Sequence, residues 1–358
     1  MPNSMGNKII DELYNINGFT FRKYIDGKHY NLHDILPFQR KWNLICGPRT
    51  IGKSVTFIAC KFLLDFIKKG WQTVFYYRTA DEIRCTADFL LDAREIFFPN
   101  MQVEIVADKM MGYIYIYDDD GNKHLFGYNL CLKYDEKYKK FSGVFKHVNN
   151  ICMDEFLLLK KQNYIKNEWL CIKSIFDTID RGSNRCKFYG FANMASIVNP
   201  IFNGLNVYPV LAQEYTITKD VIIHTPTYIK YPAILNDTTD QSAYGKYARG
   251  EAFILDNNVN IGKMNTQNKS WRALYTMHLG GAYLGIFQHD FNDLLYIKKI
   301  KKPLKSKLAF TDNPDFTIYG FQLAHMNRVY FMRLLSNNKI FFDSLLTKSI
   351  FHNFLNLY

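Results

Sequence analysis

Apolar residues in this chain follow two patterns: short runs, and stripes three to four residues apart. Trp42–Cys46 (WNLIC) is a nearly continuous apolar run, as expected of a strand covered on both faces. The next stretch, to about Lys68, spaces Phe57, Ile58, Phe62, Leu63 and Phe66 as one helical face and stops at Gly70. Gln72–Arg78, Val148–Met153 and Lys187–Ala192 read as further strands, and Ala80–Phe98 and Glu168–Asp180 as amphipathic helices. Residues 103–132 predict strands or a hairpin around the turn cluster Asp118–Asn122, and the basic stretch Lys133–Lys146 predicts a loop. Strands alternating with helices imply an α/β fold on a parallel sheet.

The pattern also divides the chain. Residues 1–40 predict an N-terminal extension with a little structure, and 41–251 the main domain. Residues 252–270, rich in Asn, Gly, Lys and Gln, predict a linker. Residues 271–358 predict a smaller α+β domain. Its strands are Arg272–Leu279, Ala282–Phe287 and Leu294–Ile300, and its helices lie near 318–336 and 344–357. A chain of 358 residues can hold two such cores.

Composition adds a partner class. The net charge of +12 suits a polyanion, nucleic acid before an acidic membrane, and equally a merely solvated surface. No run approaches 18 uncharged apolar residues, and Val55–Phe66 is broken by Lys61 and Asp65, so no membrane partner is expected. The seven cysteines include no C-x-x-C pair, which points to reduced, buried thiols in a cytoplasm.

The chemistry begins at Gly47-Pro48-Arg49-Thr50-Ile51-Gly52-Lys53-Ser54, a complete G-x-x-x-x-G-K-[ST] match between a strand and a helix. The glycines let backbone N–H groups of the loop, through Arg49, Thr50, Ile51 and on to Val55, turn toward phosphate oxygens. The helix directs its positive end at the same anion. Lys53 reaches the β- and γ-phosphates, and the Ser54 hydroxyl is a ligand for Mg²⁺. A carboxylate at the end of a neighbouring strand must complete the metal site, and Asn150–Glu155 (NICMDE) supplies it. Asp154 would hold Mg²⁺ through water, and Glu155 would activate the attacking water as general base. Adjacent Asp-Glu favours the P-loop NTPase class with an additional strand and a catalytic glutamate. No N-K-x-D motif selects guanine, so ATP is the expected nucleotide. Asn193, after a strand, can sense the γ-phosphate or serve only a turn. Arg181, at a helix end, can act as a finger on a neighbour's γ-phosphate, with Arg185 competing for that role.

Four segments together resemble the DNA-packaging ATPases of small podophages, the ring motors of the Picovirinae type. They are ICGPRTIGKS at 45–54, VFYYR at 74–78, NICMDEF at 150–156 and FDTIDRGSNRCKFYGFANMASIVNP at 176–200. The likeness spans about residues 40–358 and is strong to 203. It implies Lys53 and Ser54 on phosphate and Mg²⁺, Asp154 on Mg²⁺ and Glu155 as base. It also implies Arg181 rather than Arg185 as the trans-acting arginine, and Asn193 as the sensor. It further implies a homopentameric ring, docked from the host cytoplasm on the portal protein of a procapsid and absent from the mature virion. That ring would drive double-stranded DNA inward, in some members with a structural packaging RNA. One departure is Thr79-Ala80-Asp81, where the family carries a second basic residue after the strand.

Larger packaging motors carry an RNase H-like nuclease at the C-terminus, whose first strand needs an Asp. Arg272–Leu279 has no acid, and only Asp290, Asp293 and Asp343 remain. An RNase H-like domain without nuclease activity is expected. Lys298, Lys299, Lys301, Lys302, Lys305 and Lys307 form one basic run, and Lys139 and Lys140 belong to another. Both suit sequence-independent phosphate contacts, or exposed solvated turns. The alternatives are a packaging motor that also cleaves DNA, and a nucleotide-dependent nucleic-acid-binding adaptor without translocation.

Overall fold

The computed structural model describes residues 30–48, 51–84, 102–158, 164–196, 199–209, 213–226, 270–305, 308–311, 321–323, 328–336 and 339–355, without 109, 119, 280, 281 and 293 and with Leu90, Met264 and Thr266. The chain divides into two compact units, one around each of two sheets.

The first unit starts at strand β1 (Trp42–Cys46), buried along its whole length. Helix α1 follows as Lys53–Phe57, a π-helical turn Ile58–Leu63 and Leu64–Lys69, closed by left-handed Gly70. Next come β2 (Gln72–Tyr77), β3 (Gln102–Ala107), β4 (Met111–Tyr117) and β5 (Lys123–Cys131). Then follow β6 (Val148–Met153), α2 (Glu168–Asp180), β7 (Lys187–Ala192), β8 (Tyr215–Ile217) and β9 (Val221–His224); the short helix α3 (Pro200–Leu205) straddles the division, its residues 200–203 falling in the second unit. The strand order is β3-β4-β5-β2-β6-β7-β1-β9-β8. Strands β5, β2, β6, β7, β1 and β9 run parallel, and hairpins extend both edges. The core strands are buried along most of their length on both faces, with Asn43, Thr73, Asn129 and Asn150 buried among their apolar residues. On one face α1 buries Phe57 and Phe62 against Tyr189 of β7. Phe176 of α2 packs on Trp42.

Three expectations change. Lys133–Lys146 is not a loop: Leu132–Tyr134, Asp135–Tyr138 and Lys139–Phe145 form consecutive helical turns that bury Tyr138 and Phe145. Residues 30–38 are not an outlying extension, because Tyr30, Leu32 and Ile35 lie in the core of this unit. Of the expected helix Ala80–Phe98, Asp81–Arg84 is a 3₁₀ turn, Leu90 is helical, and residues 85–89 and 91–98 lie outside the described residues.

The second unit holds β10 (Trp271–Leu279), β11 (Ala282–His289), β12 (Leu295–Ile300), β13 (Ala309–Thr311), β14 (Gln322–Leu323), α4 (Arg328–Ser336), β15 (Ile340–Phe342) and α5 (Leu345–Phe354). Its order is β14-β13-β10-β11-β12-β15. Strands β10, β11 and β12 form an antiparallel meander, while β13 pairs parallel to β10 and β14 parallel to β13. The helix expected near 318–336 is described only from Arg328, and Gln322–Leu323 is a strand. Most of 252–270 lies outside the described residues.

Candidate active site

The parallel strands end together along one edge of the sheet. Cys46 of β1 pairs with Ala192 of β7, and Met153 of β6 pairs with Gly190 of β7. Residues that follow β1, β6 and β7 therefore meet at the carboxyl edge, where open α/β sheets bind ligands. Gly52 takes φ 60° and ψ 29°, a left-handed turn that a side chain would strain, and it starts α1 at once. Ile51 is buried and its carbonyl accepts the Tyr30 N–H at 2.7 Å. Arg49 and Thr50 lie outside the described residues. Val55 sits half-buried in the first turn of α1.

Lys53 is buried, and its ammonium donates to the Pro48 carbonyl at 2.7 Å and the Gly47 carbonyl at 3.5 Å. It also donates to the Asn193 side-chain oxygen at 3.3 Å. The Ser54 hydroxyl donates to Asp154 Oδ2 at 2.8 Å. Residues 140 and 100 positions apart thus converge on one spot. Burial pushes the Asp154 carboxyl above its usual range, against the Ser54 hydrogen bond and the Lys53 charge. An ammonium and a hydroxyl–carboxylate pair at a helix N-terminus have the chemistry that could hold a polyphosphate with its cation.

Glu155 is exposed and left-handed, with φ 48°, and its N–H donates to Asp154 Oδ1 at 2.9 Å. Arg181 caps α2 in the same conformation, φ 51°. Its guanidinium is exposed and donates to the Ser142 hydroxyl at 2.9 Å. Arg185 is committed elsewhere: it donates to the carbonyls of Phe145 at 3.0 Å, Ile179 at 2.7 Å and Lys146.

The sequence reading overlooked two contributors. Tyr30 holds the loop through Ile51 and packs on Phe57 and His224, and no motif announces it. Arg78 is buried against Glu168, and its signal was a cation directly after an apolar strand.

The lysines divide. Lys139 pairs with Glu136 at 2.8 Å, while Lys140 is exposed on the same helical turn. Lys298 is half-buried, donates to Thr266 at 2.6 Å and lies 4.8 Å from the Phe287 ring centre. Lys299, Lys301, Lys302 and Lys305 are exposed, and Lys307 lies outside the described residues. Among the described residues, none of the six strands of this unit carries a carboxylate. Asp343 is spent on the Lys299 N–H and the Ser344 hydroxyl, and Asp293 lies outside the described residues.

This chain is similar to the DNA packaging proteins of Bacillus phages phi29 and PZA. Each is 25% identical over 331 residues, covering 90% of this chain and 95% of the relative. Among solved structures it resembles a chain of the bacteriophage phi29 viral genome packaging motor assembly, with TM-score 0.65, 23% identity, and coverage of 92% of this chain and 99% of that one. It also resembles the phi28 gp11 DNA packaging motor, with TM-score 0.66, 17% identity, and coverage of 93% and 99%. These likenesses establish the fold. Residues 25–357 match the Podovirus DNA encapsidation protein (Gp16) family, and with nearly its whole length inside that match the chain belongs to this family of phage DNA-packaging proteins.

Proposed function

We propose that this chain is the ATPase subunit of a homopentameric ring motor that drives double-stranded viral DNA into a procapsid. The observation that carries the reading is the joint contact of Lys53 with Asn193 and of Ser54 with Asp154 at the carboxyl edge of the sheet. Strand β7 lies between β1 and β6, which supports assignment to the additional-strand, catalytic-glutamate class.

In this reading Lys53 and the N–H groups from Gly47 to Val55 hold the ATP phosphates. Ser54 and Asp154, hard oxygen donors 2.8 Å apart, fit Mg²⁺. That ion, when bound, neutralises charge that builds on the phosphate oxygens. Glu155 takes the proton of the attacking water, and Asn193 senses the γ-phosphate beside Lys53. Arg181 reaches the γ-phosphate of a neighbouring subunit. Its exposure favours it over Arg185, whose guanidinium is held by three carbonyls.

The sheet order of the second unit supports an RNase H-like fold, and its acid-free strands support loss of nuclease activity. Lys140, Lys299, Lys301, Lys302 and Lys305 are the exposed candidates for DNA phosphates; Lys139 and Lys298 are the weaker ones because they have other partners. The ring works in the host cytoplasm on the portal protein, with a packaging RNA as a further possible partner, and leaves before the virion matures. The test is phosphate release with and without double-stranded DNA. DNA-stimulated release that is lost in Glu155→Gln supports the reading; an ATP-binding protein that releases no phosphate with DNA present overturns it.

A further inference from the structure

Three side chains that the nucleotide chemistry does not use converge on the side of β1 away from β6. His224 ends β9 and is fully buried, its ring stacked on Tyr215 with 4.5 Å between centroids and 5° between planes. Its Nδ1 shares a hydrogen bond of 2.5 Å with the Tyr30 hydroxyl, and its Nε2 one of 2.9 Å with Glu214 Oε1. Asp34, the last residue of the 3₁₀ turn Leu32–Asp34, brings a second carboxylate. One ligand atom from each of Asp34, Glu214 and His224 lies within 4.8 Å of the other two. The backbone under them is fastened. Leu32 and Ile35 are buried in the core on either side of Asp34, and the Thr225 N–H donates to the Glu214 carbonyl at 2.8 Å.

We propose that Asp34, Glu214 and His224 form a metal site of their own, for a divalent first-row transition ion of the Zn²⁺ class. The donors select that class: an imidazole with two carboxylates suits Zn²⁺ and its relatives, whereas Mg²⁺ and Ca²⁺ take oxygen ligands. The hydrogen bonds select the atom. The Tyr30 hydroxyl engages Nδ1, which leaves Nε2 as the ring nitrogen aimed at the carboxylates. Metal-bound histidines are held in this way, with an oxygen on the other nitrogen that fixes the tautomer and the ring plane. Charge points to a dication as well. Two carboxylates this close repel, and a protonated His224 would offset only one of them. A dication beside a neutral imidazole balances both. Glu214 is 32% exposed and Asp34 half-buried, so an ion can enter from solvent. The site is separate from Ser54 and Asp154, because β7 and β1 lie between β6 and β9. A bound ion would tie the Leu32–Asp34 turn to the β8–β9 hairpin. Through the Tyr30 N–H on the Ile51 carbonyl, it would also steady the phosphate loop. The proposal does not depend on the motor reading.

The test is zinc binding by the full chain, free of any affinity tag, in an excess of Mg²⁺ that fills oxygen-only sites. Calorimetric titration with Zn²⁺ compares wild type with Asp34→Asn and Glu214→Gln. Each amide keeps the volume of the acid it replaces. The side-chain oxygen in Glu214→Gln can still accept from Nε2–H, so a plain hydrogen bond to His224 would survive. The expected result is one zinc per chain, bound about 10-fold or more weakly by either variant. Zinc should also raise the melting temperature of wild type and not of the variants. X-ray absorption of the wild-type zinc complex should show nitrogen and oxygen ligands with imidazole scattering and no sulfur. That measurement decides the matter even where a variant fails to fold. Absence of saturable zinc binding overturns the site. Unchanged affinity in folded amide variants, a sulfur shell, or a shell without imidazole overturns it as well.

Discussion

Asp65→Asn is the substitution whose cost can be worked most directly from the structure. Helix α1 carries Lys61 and Asp65 one turn apart, 3% and 1% exposed, in direct contact as an ion pair. Asp65 also accepts from Lys69 at 2.9 Å and from Asn150 of β6 at 3.2 Å. The cluster thus ties the helix that starts at Lys53 to the strand that ends before Asp154. Burial pushes the Lys61 amine down, Asp65 opposes this, and Lys69 and Lys187 add to the fall. Asparagine keeps the volume and deletes the charge. Lys61 must then stay charged without a counter-ion or give up its proton. Deprotonation at pH 7 sets a ceiling: about 1.36 kcal/mol per pH unit over the roughly 3.4 units up to a free lysine's 10.4 gives about 4.6 kcal/mol. Breaking one side of a buried pair typically costs about 3–5 kcal/mol, which agrees. With a neutral Lys61 in the native state and a charged one in the unfolded chain, the unfolded state binds more protons. Stability of the variant therefore rises with pH in this window, and the deficit should shrink by roughly 2.7 kcal/mol between pH 7 and pH 9. Thermal unfolding at both pH values measures this, with a fall of about 8–15 °C expected at pH 7. The apolar double substitution Lys61→Met with Asp65→Leu should recover most of the loss. A deficit under about 1 kcal/mol at pH 7, or the same deficit at pH 9, would refute the reasoning.

Other substitutions test the site itself. Arg181→Ala should lower turnover about 10³- to 10⁵-fold in an all-variant ring, with partial recovery in rings mixed with Glu155→Gln subunits; full activity in the all-variant ring excludes the finger. Asp154→Asn should abolish hydrolysis while thermal stability holds or rises. Burial raises the folded-state pKa above the unfolded one, so the native carboxylate loses stability as pH climbs through that window, and the amide does not. A large fall in melting temperature would contradict it. Replacing Lys301, Lys302 and Lys305 by Ala should flatten the plot of log DNA affinity against log salt by about 2.7 in slope, at about 0.9 per phosphate contact; an unchanged slope removes these lysines from the DNA surface.

The parallel strands and the helices α1 and α2 were readable because each buries a face whose period is written in the apolar residues. The Gly47–Ser54 loop and the Asp154–Glu155 turn were readable because phosphate and metal chemistry restrict their residue types. Lys133–Lys146 misled because charge dominates its composition, while Tyr138 and Phe145 anchor its helical turns in the core. Tyr30 was invisible because its partners, the Ile51 carbonyl for its N–H and the Phe57 and His224 rings for its side chain, lie far along the chain and follow no local period. The Arg78–Glu168 pair joins positions 90 apart, and only the parallel pairing of β2 with β6 brings them near the base. The resemblance implied Arg181 rather than Arg185 as the finger; the three carbonyls that hold Arg185, which no spacing encodes, add a physical reason for that proposal.

The central claim is that ATP turnover at Lys53, Asp154 and Glu155 moves DNA. The direct measurement is nuclease protection of double-stranded DNA mixed with procapsids, ATP and this protein. Wild type should yield protected DNA of genome length. Glu155→Gln, at equal nucleotide binding, should yield none, in line with a base worth about 10²- to 10⁴-fold in rate. Equal protection by Glu155→Gln would contradict the claim.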